Sequence, residues 1–260
     1  MSNVIRLISA SKSDIEKMSA GELKESIFKS EGRVIMGQHL LFAGPGVVRG
    51  VTNSELMFAW GADMVMLNTI DLDHMENNPG LCGLSLKELK ARCNRPIGVY
   101  LGCPKAGSED GGKKALYRRE GMVATKEHIL KCREIGADFI VLGGNPGSGT
   151  SLSDIIECTK LARELLGDEM IIMSGKWEDG INEKVLGDPC ADYDAKDIVK
   201  QLIEACCEGV MNGGFHTPNH RWAIAACLKH AARICGREDF SRRADVYLGE
   251  GLDIDGEGDR

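Results

Sequence analysis

The chain contains no run of five like charges and carries a formal net charge of −7. A nucleic-acid surface needs clustered Lys and Arg to meet phosphates, so this composition argues against such a partner. No apolar run approaches the roughly 18 residues that a membrane span requires. The opening MSNVIRLISASKSDIEKM has too short an apolar stretch for a secretory leader, and no small-residue cleavage site follows one. These absences predict a soluble cytoplasmic protein whose partners are small molecules or proteins. The ten cysteines lie scattered through helix- and strand-like segments and form no short disulfide framework, so most are expected to be buried as small hydrophobes. His216 and His220 with Cys206, Cys207, Cys227 and Cys235 match no CxxC…CxxC or CxxC…HxxxH pattern, although His216 and His220 alone would suit one edge of a site, so structural zinc is not expected and these cysteines are read as buried.

Two nucleotide motifs are also missing. The first strand candidate, RVIMGQHLLF (33–42), is not followed by GxGxxG, and in GGNPGSGTS the position that a P-loop fills with Lys holds Thr150.

What is present is a repeated unit. TNSELMFAWGADMVMLN (52–68), KEHILKCREIGADFIVLGGN (126–145) and AKDIVKQLIEACCEGVMNGG (195–214) each read as an amphipathic helix, then a Gly-Ala-Asp or its relic, then a short apolar run. Gly61 and Gly136 stand where a helix must end and turn at once into a strand, which calls for a left-handed residue. In the third unit Cys206 takes that place. RPIGVYLG (95–102) and EMIIMSG (169–175) add two more strands. Before the latter, SLSDIIECTKLARELLG predicts a helix with Ile155, Thr159, Ala162 and Leu166 on one face and Gly167 at its end.

Apolar strands alternating with amphipathic helices predict an α/β fold with a parallel sheet covered by helices. Without the dinucleotide turn, a (β/α)8 TIM-barrel-like fold is favoured over a doubly wound sheet. About six strand-helix units are recognisable, near residues 34, 63, 96, 138, 170 and 209, where a closed barrel has eight. The expected organisation is an N-terminal helical segment over 1–32, which could cover the barrel bottom, barrel units over 33–214, and an atypical C-terminal helix with an acidic tail over 215–260.

Residues ending the strands of a barrel share one mouth, where its active site lies. Gln38, His39, Asn68, Cys103, Asn145, Ser174, Gly175, Lys176 and Asn212 are those positions. The turn after the fourth strand, with Gly143, Gly144, Asn145, Gly147, Ser148, Gly149 and Thr150, brings backbone N–H groups to the start of a helix and suits a phosphate or carboxylate. A tight βα turn would use some of the same glycines, and Ser151 with Asp154 reads as a helix cap. Lys176 is the candidate for a covalent or electrophilic role and His39 for proton transfer. Asp71 and Asp73, next to His74, could offer carboxylates to a hard ion such as Mg²⁺, although loop acids are common without one. The cofactor is otherwise open.

The segments SEGRVIMGQHLLF, VTNSELMFAWGADMVMLNTIDLD, GGNPGSGTS and IIMSGKWEDGI resemble, over about residues 10 to 205, a bacterial family of (β/α)8-barrel proteins uncharacterised as to reaction. Some members carry loose names such as phosphoenolpyruvate phosphonomutase-like or hydrolase-like. The resemblance implies a barrel and supports Asn68, Asn145, Gly147, Gly149, Gly175 and Lys176 at its mouth, without assigning a reaction. The family pattern leads one to expect a Gly-Ala-Asp and further strand-helix units where Cys206, Cys207 and Glu208 stand, so the chain departs from it there.

The expected function is an enzyme acting on a small phosphorylated or carboxylated metabolite, of lyase, aldolase or isomerase type. The alternatives are a metabolite-binding or assembly protein without turnover, and a truncated inactive barrel. An incomplete barrel would expose a sheet edge and favour a homo-oligomer.

Overall fold

Among the described residues, five helices begin at a Ser or Thr whose hydroxyl accepts from the backbone three residues on, while the acid at that third position accepts from the cap. These reciprocal boxes are Ser11 with Asp14, Ser19 with Glu22, Thr52 with Glu55, Ser85 with Glu88 and Ser151 with Asp154. Each satisfies two N–H groups that a helix start leaves orphaned.

In the computed structural model, residues 4–42, 44, 46–104, 120–144, 150–177, 195–205 and 209–213 are described. The helices are α1 (Lys12–Ile15), α2 (Ala20–Lys29), α3 (Asn53–Ala59), α4 (Leu86–Cys93), α5 (Lys126–Glu134), α6 (Leu152–Leu166) and α7 (Ala195–Glu204). The strands are β1 (Met36–Leu40), β2 (Met64–Asn68), β3 (Ile97–Gly102), β4 (Phe139–Gly144), β5 (Ile171–Trp177) and β6 (Gly209–Gly213). All pairs are parallel and the order is β1-β2-β3-β4-β5-β6. A doubly wound sheet reverses its strand order at a switch point. This one never does, so the chain winds in the single sense of a TIM barrel. Among the described residues six strands form the arc, and β1 and β6 are its two edges.

The Gly-Ala-Asp units have a clear physical role. Gly61 and Gly136 adopt φ of +99° and +87°, so each helix reverses into its strand without a Cβ clash. The aspartates then clip neighbouring strands together at their starts. Asp63 Oδ2 accepts from Ile35 N at 3.0 Å, and Asp138 Oδ2 accepts from Ile97 N at 2.8 Å while Oδ1 takes Lys90 Nζ. Cys206, the third-unit counterpart, lies outside the described residues.

Alternation along the strands divides the core in two. Val65, Leu67, Ile97, Val99, Leu101, Ile140, Leu142 and Ile172 face the helix layer and pack with Ile129 of α5 and Ile155, Ala162 and Leu166 of α6. The predicted face of α6 is therefore the buried one, and Thr159 lies on it too. On the inner face, Met64, Met66, Phe139, Val141 and Ile171 pack with Leu7 and with Leu23 of α2. The N-terminal segment thus plugs the end of the arc where the strands begin. Each large aliphatic side chain so buried stabilises the fold by about 1.5–3 kcal/mol.

Candidate functional site

The two ends of the inner face differ in chemistry. At the start of the strands it is filled by Met, Phe and Ile side chains under α2. At the other end Gly102, Gly143 and Gly175 lie side by side in register on β3, β4 and β5. One step below this row, Tyr100 is 3% exposed and its ring lies against Gly143. A Cβ at position 143 would stand 2.9 Å from the Tyr100 hydroxyl and 2.9 Å from Gly175 O. The glycine therefore makes room for the tyrosine. Gln38 and Asn68 extend the same face on β1 and β2, in register with Met66 and Leu40 respectively. Tyr100 carries no signal in the sequence, since within RPIGVYLG it reads as one more apolar strand residue.

Asn68 is followed by a steric outlier. Thr69 has φ of +61°, a conformation a β-branched residue rarely adopts. Its N–H donates to Asn68 Oδ1 at 2.7 Å, its hydroxyl donates to Asn68 O at 2.6 Å, and Phe42 N donates to that hydroxyl at 3.3 Å.

The aspartates of the β2 loop have separate partners. Asp71 is buried, and its Oδ1 accepts from Asp73 N and His74 N while Oδ2 accepts from Asn77 Nδ2. Its carboxylate organises the loop, a different task from the metal ligation expected of it. Asp73 Oδ1 lies 2.9 Å from His128 Nε2 on α5, whose Nδ1 lies 2.7 Å from Val123 O. The hydrogen bond from His128 holds the Asp73 carboxyl below the usual carboxylate range. This pair fastens the β2 loop to α5. Among the described residues no group of three or more His, Cys, Asp or Glu side chains is placed to hold a metal ion.

Three expectations need correction. His39 is 1% exposed and on the helix-facing side of β1, with Nδ1 2.8 Å from Ser54 Oγ of α3. Burial pushes its pKa down to about 4, so it is a neutral core residue, not a proton-transfer group at the mouth. Ser174 likewise faces the helix layer, with its hydroxyl 2.7 Å from Thr159 Oγ1 on α6. Strand alternation places it behind the sheet. Thr150 is buried and its hydroxyl donates to Cys103 O at 3.2 Å, which ties the β4 connection to the end of β3 and commits that proton away from a ligand.

Of the remaining mouth positions, Gly144 ends β4, and Lys176 on β5 stands in register between Gly144 and Asn212. The Lys176 side chain lies outside the described residues, as do Asn145, Gly147, Ser148 and Gly149 of the expected anion turn. The Ser151 and Asp154 cap at the start of α6 is present, with Ser151 N donating to Asp154 Oδ2 at 2.7 Å.

Among the described residues no disulfide is formed. Cys103, Cys132 and Cys158 are buried, as expected, whereas Cys82 is exposed. No helix among the described residues is long and apolar enough to cross a membrane.

The parallel arc, its plugged lower end and its glycine-lined upper end define an α/β protein of the TIM-barrel class. Within that class the chain belongs to the family of DUF7916, a domain of unknown function, matched over residues 8–219. The match runs past residue 205, so β6 lies within the family domain despite Cys206, Cys207 and Glu208. Similar solved structures include the carboxyl transferase domain of Rhizobium etli pyruvate carboxylase, at 11% identity and TM-score 0.50 over 95% of this chain and 41% of that one. A Rhizobium etli pyruvate carboxylase variant crystallized without acetyl coenzyme-A matches at 14% identity and TM-score 0.50, over 92% of this chain and 22% of that one. The chain thus spans less than half the length of these proteins. Such identities establish likeness of fold alone. No curated protein matches the sequence, and neither match supports the phosphonomutase-like label.

Proposed function

We propose that the protein is a cytoplasmic enzyme acting on a small phosphorylated or carboxylated metabolite, by lyase, aldolase or isomerase chemistry at the barrel mouth. The observation that carries this reading is the asymmetry of the inner face: closed and apolar below, with three adjacent glycines, a tyrosine hydroxyl and the Asn68 amide above. Barrel enzymes react their substrates at the end where the strands finish. In this reading the connection between Gly144 and α6 holds the anion, and Lys176 supplies positive charge or an amine nucleophile. His39 has no part in it.

A thermal-shift panel of phosphate, sulfate and small phosphorylated and carboxylated metabolites tests the binding step, because a ligand of the native state raises its melting temperature. Borohydride treatment with each carbonyl compound of the panel then tests Lys176. Its amine would condense with the carbonyl to an iminium, losing water, and reduction would leave a stable mass adduct on Lys176. A panel without a single shift removes the metabolite site, and full turnover by Lys176→Ala removes this lysine from the chemistry.

A second reading, assembly with another copy of the chain, is supported by the β1 edge. Ile35 just before this edge strand and Phe42, Val47 and Val48 after it are exposed, and an apolar edge that is unpaired among the described residues is a template for association. Light scattering on the purified chain tests it, and a monomer at all concentrations rejects it.

A further inference from the structure

Thr69 occupies a backbone conformation that Gly would adopt without penalty and that a β-branched residue resists. Threonine supplies there what glycine cannot, a hydroxyl that donates to Asn68 O and accepts from Phe42 N. The same turn aims Thr69 N–H at Asn68 Oδ1. A donor on that oxygen fixes which end of the amide is which, because the nitrogen end could not accept it. Asn68 is 8% exposed, follows Met64 and Met66 on the inner face, and among the described residues its Nδ2 donates to no group.

The surroundings favour an oxygen acceptor. The described inner-face positions of β1 to β5 include no acidic residue. The nearby carboxylates of Asp71 and Asp73 are turned to backbone N–H groups and to His128. Asn68 therefore presents a neutral, oriented N–H pair beside the glycine row.

We infer that Asn68 Nδ2 is a preset hydrogen-bond donor to an oxygen of a small oxyanion, and that Thr69 is the residue that positions it. This rests on the barrel mouth being the ligand site. The hydrogen bond from Thr69 N–H holds the amide before the ligand arrives, so little rotamer freedom is lost on binding.

The test uses the full chain labelled with ¹⁵N. The side-chain amide resonances of Asn68, assigned by their absence in Asn68→Asp, are followed while inorganic phosphate is added, and in a separate arm acetate. A saturable shift in the phosphate arm identifies a phosphoryl oxygen as the acceptor, and one in the acetate arm a carboxylate. Asn68→Asp keeps the oxygen that Thr69 N–H needs and loses the donor, so its affinity for the active probe falls about tenfold or more, as expected for a lost hydrogen bond to a charged group. Thr69→Gly lowers affinity while Thr69→Ser restores it, with melting temperatures compared alongside. Binding that leaves the Asn68 resonances unmoved, or that survives Asn68→Asp undiminished, overturns this inference alone. Absence of binding by either probe and by the metabolite panel overturns it together with the proposed function.

Discussion

Acid should weaken this fold through His39, and the size of the effect can be worked out. The ring is buried between β1 and α3, and its Nε2 has no hydrogen-bond partner among the described residues. Burial lowers its pKa from 6.5 to about 4. Between those values the unfolded chain takes up a proton that the folded chain refuses, so stability is full above pH 6.5 and is lost as the pH falls toward about 4. At about 1.4 kcal/mol per pH unit, the loss attributable to this one ring is about 3 kcal/mol. The assay is urea unfolding of wild type and His39→Asn at steps from pH 7 to pH 4. Other groups titrate alike in both proteins and cancel, so the wild-type advantage should shrink by about 3 kcal/mol across the window. A difference that stays constant over the whole range would refute the claim that His39 is held neutral by burial.

Other perturbations have equally specific outcomes. A Cβ at Gly98 would stand 2.2 Å from Phe139 Cδ2, so Gly98→Ala should destabilise by about 1–3 kcal/mol in chemical denaturation; an unchanged midpoint would show that the ring has room to move. Thr159 donates to Ile155 O, so Ser174 is the donor between the two hydroxyls. Thr159→Val then strands a buried donor and should cost about 1–3 kcal/mol, while Ser174→Ala costs less; the reverse order would contradict that assignment. Burial raises the thiols of Cys93 and Cys132 to about 12, so iodoacetamide on the native protein should alkylate exposed Cys82 well before either. Peptide mass mapping with equal labelling of all three would reject this.

The strands and helices were largely legible because the signals are local. Apolar runs near 34, 63, 96, 138, 170 and 209 became β1 to β6, and the glycines at 61 and 136 ended helices where positive φ was needed. The mouth was only partly legible. Gln38 and His39 are adjacent in sequence, yet strand alternation puts one on the inner face and the other against α3. Ser174 and Gly175 divide in the same way. Tyr100 was missed because its neighbours are all apolar, and Thr69 because no residue type announces a left-handed threonine.

By itself the sequence determined the class of this protein, since the period of its apolar residues, its caps and its turn glycines act over a few neighbours and demand alternating strands and helices. It also determined the donors available: amides, hydroxyls and a lysine near the strand ends. Only the tertiary structure decided which of them share a face. That choice depends on the register of strands far apart in the chain, which brings Gly102, Gly143 and Gly175 into one row and turns His39 and Ser174 away from it. Side-chain chemistry is local, but the direction in which it points is set by hydrogen bonds between strands.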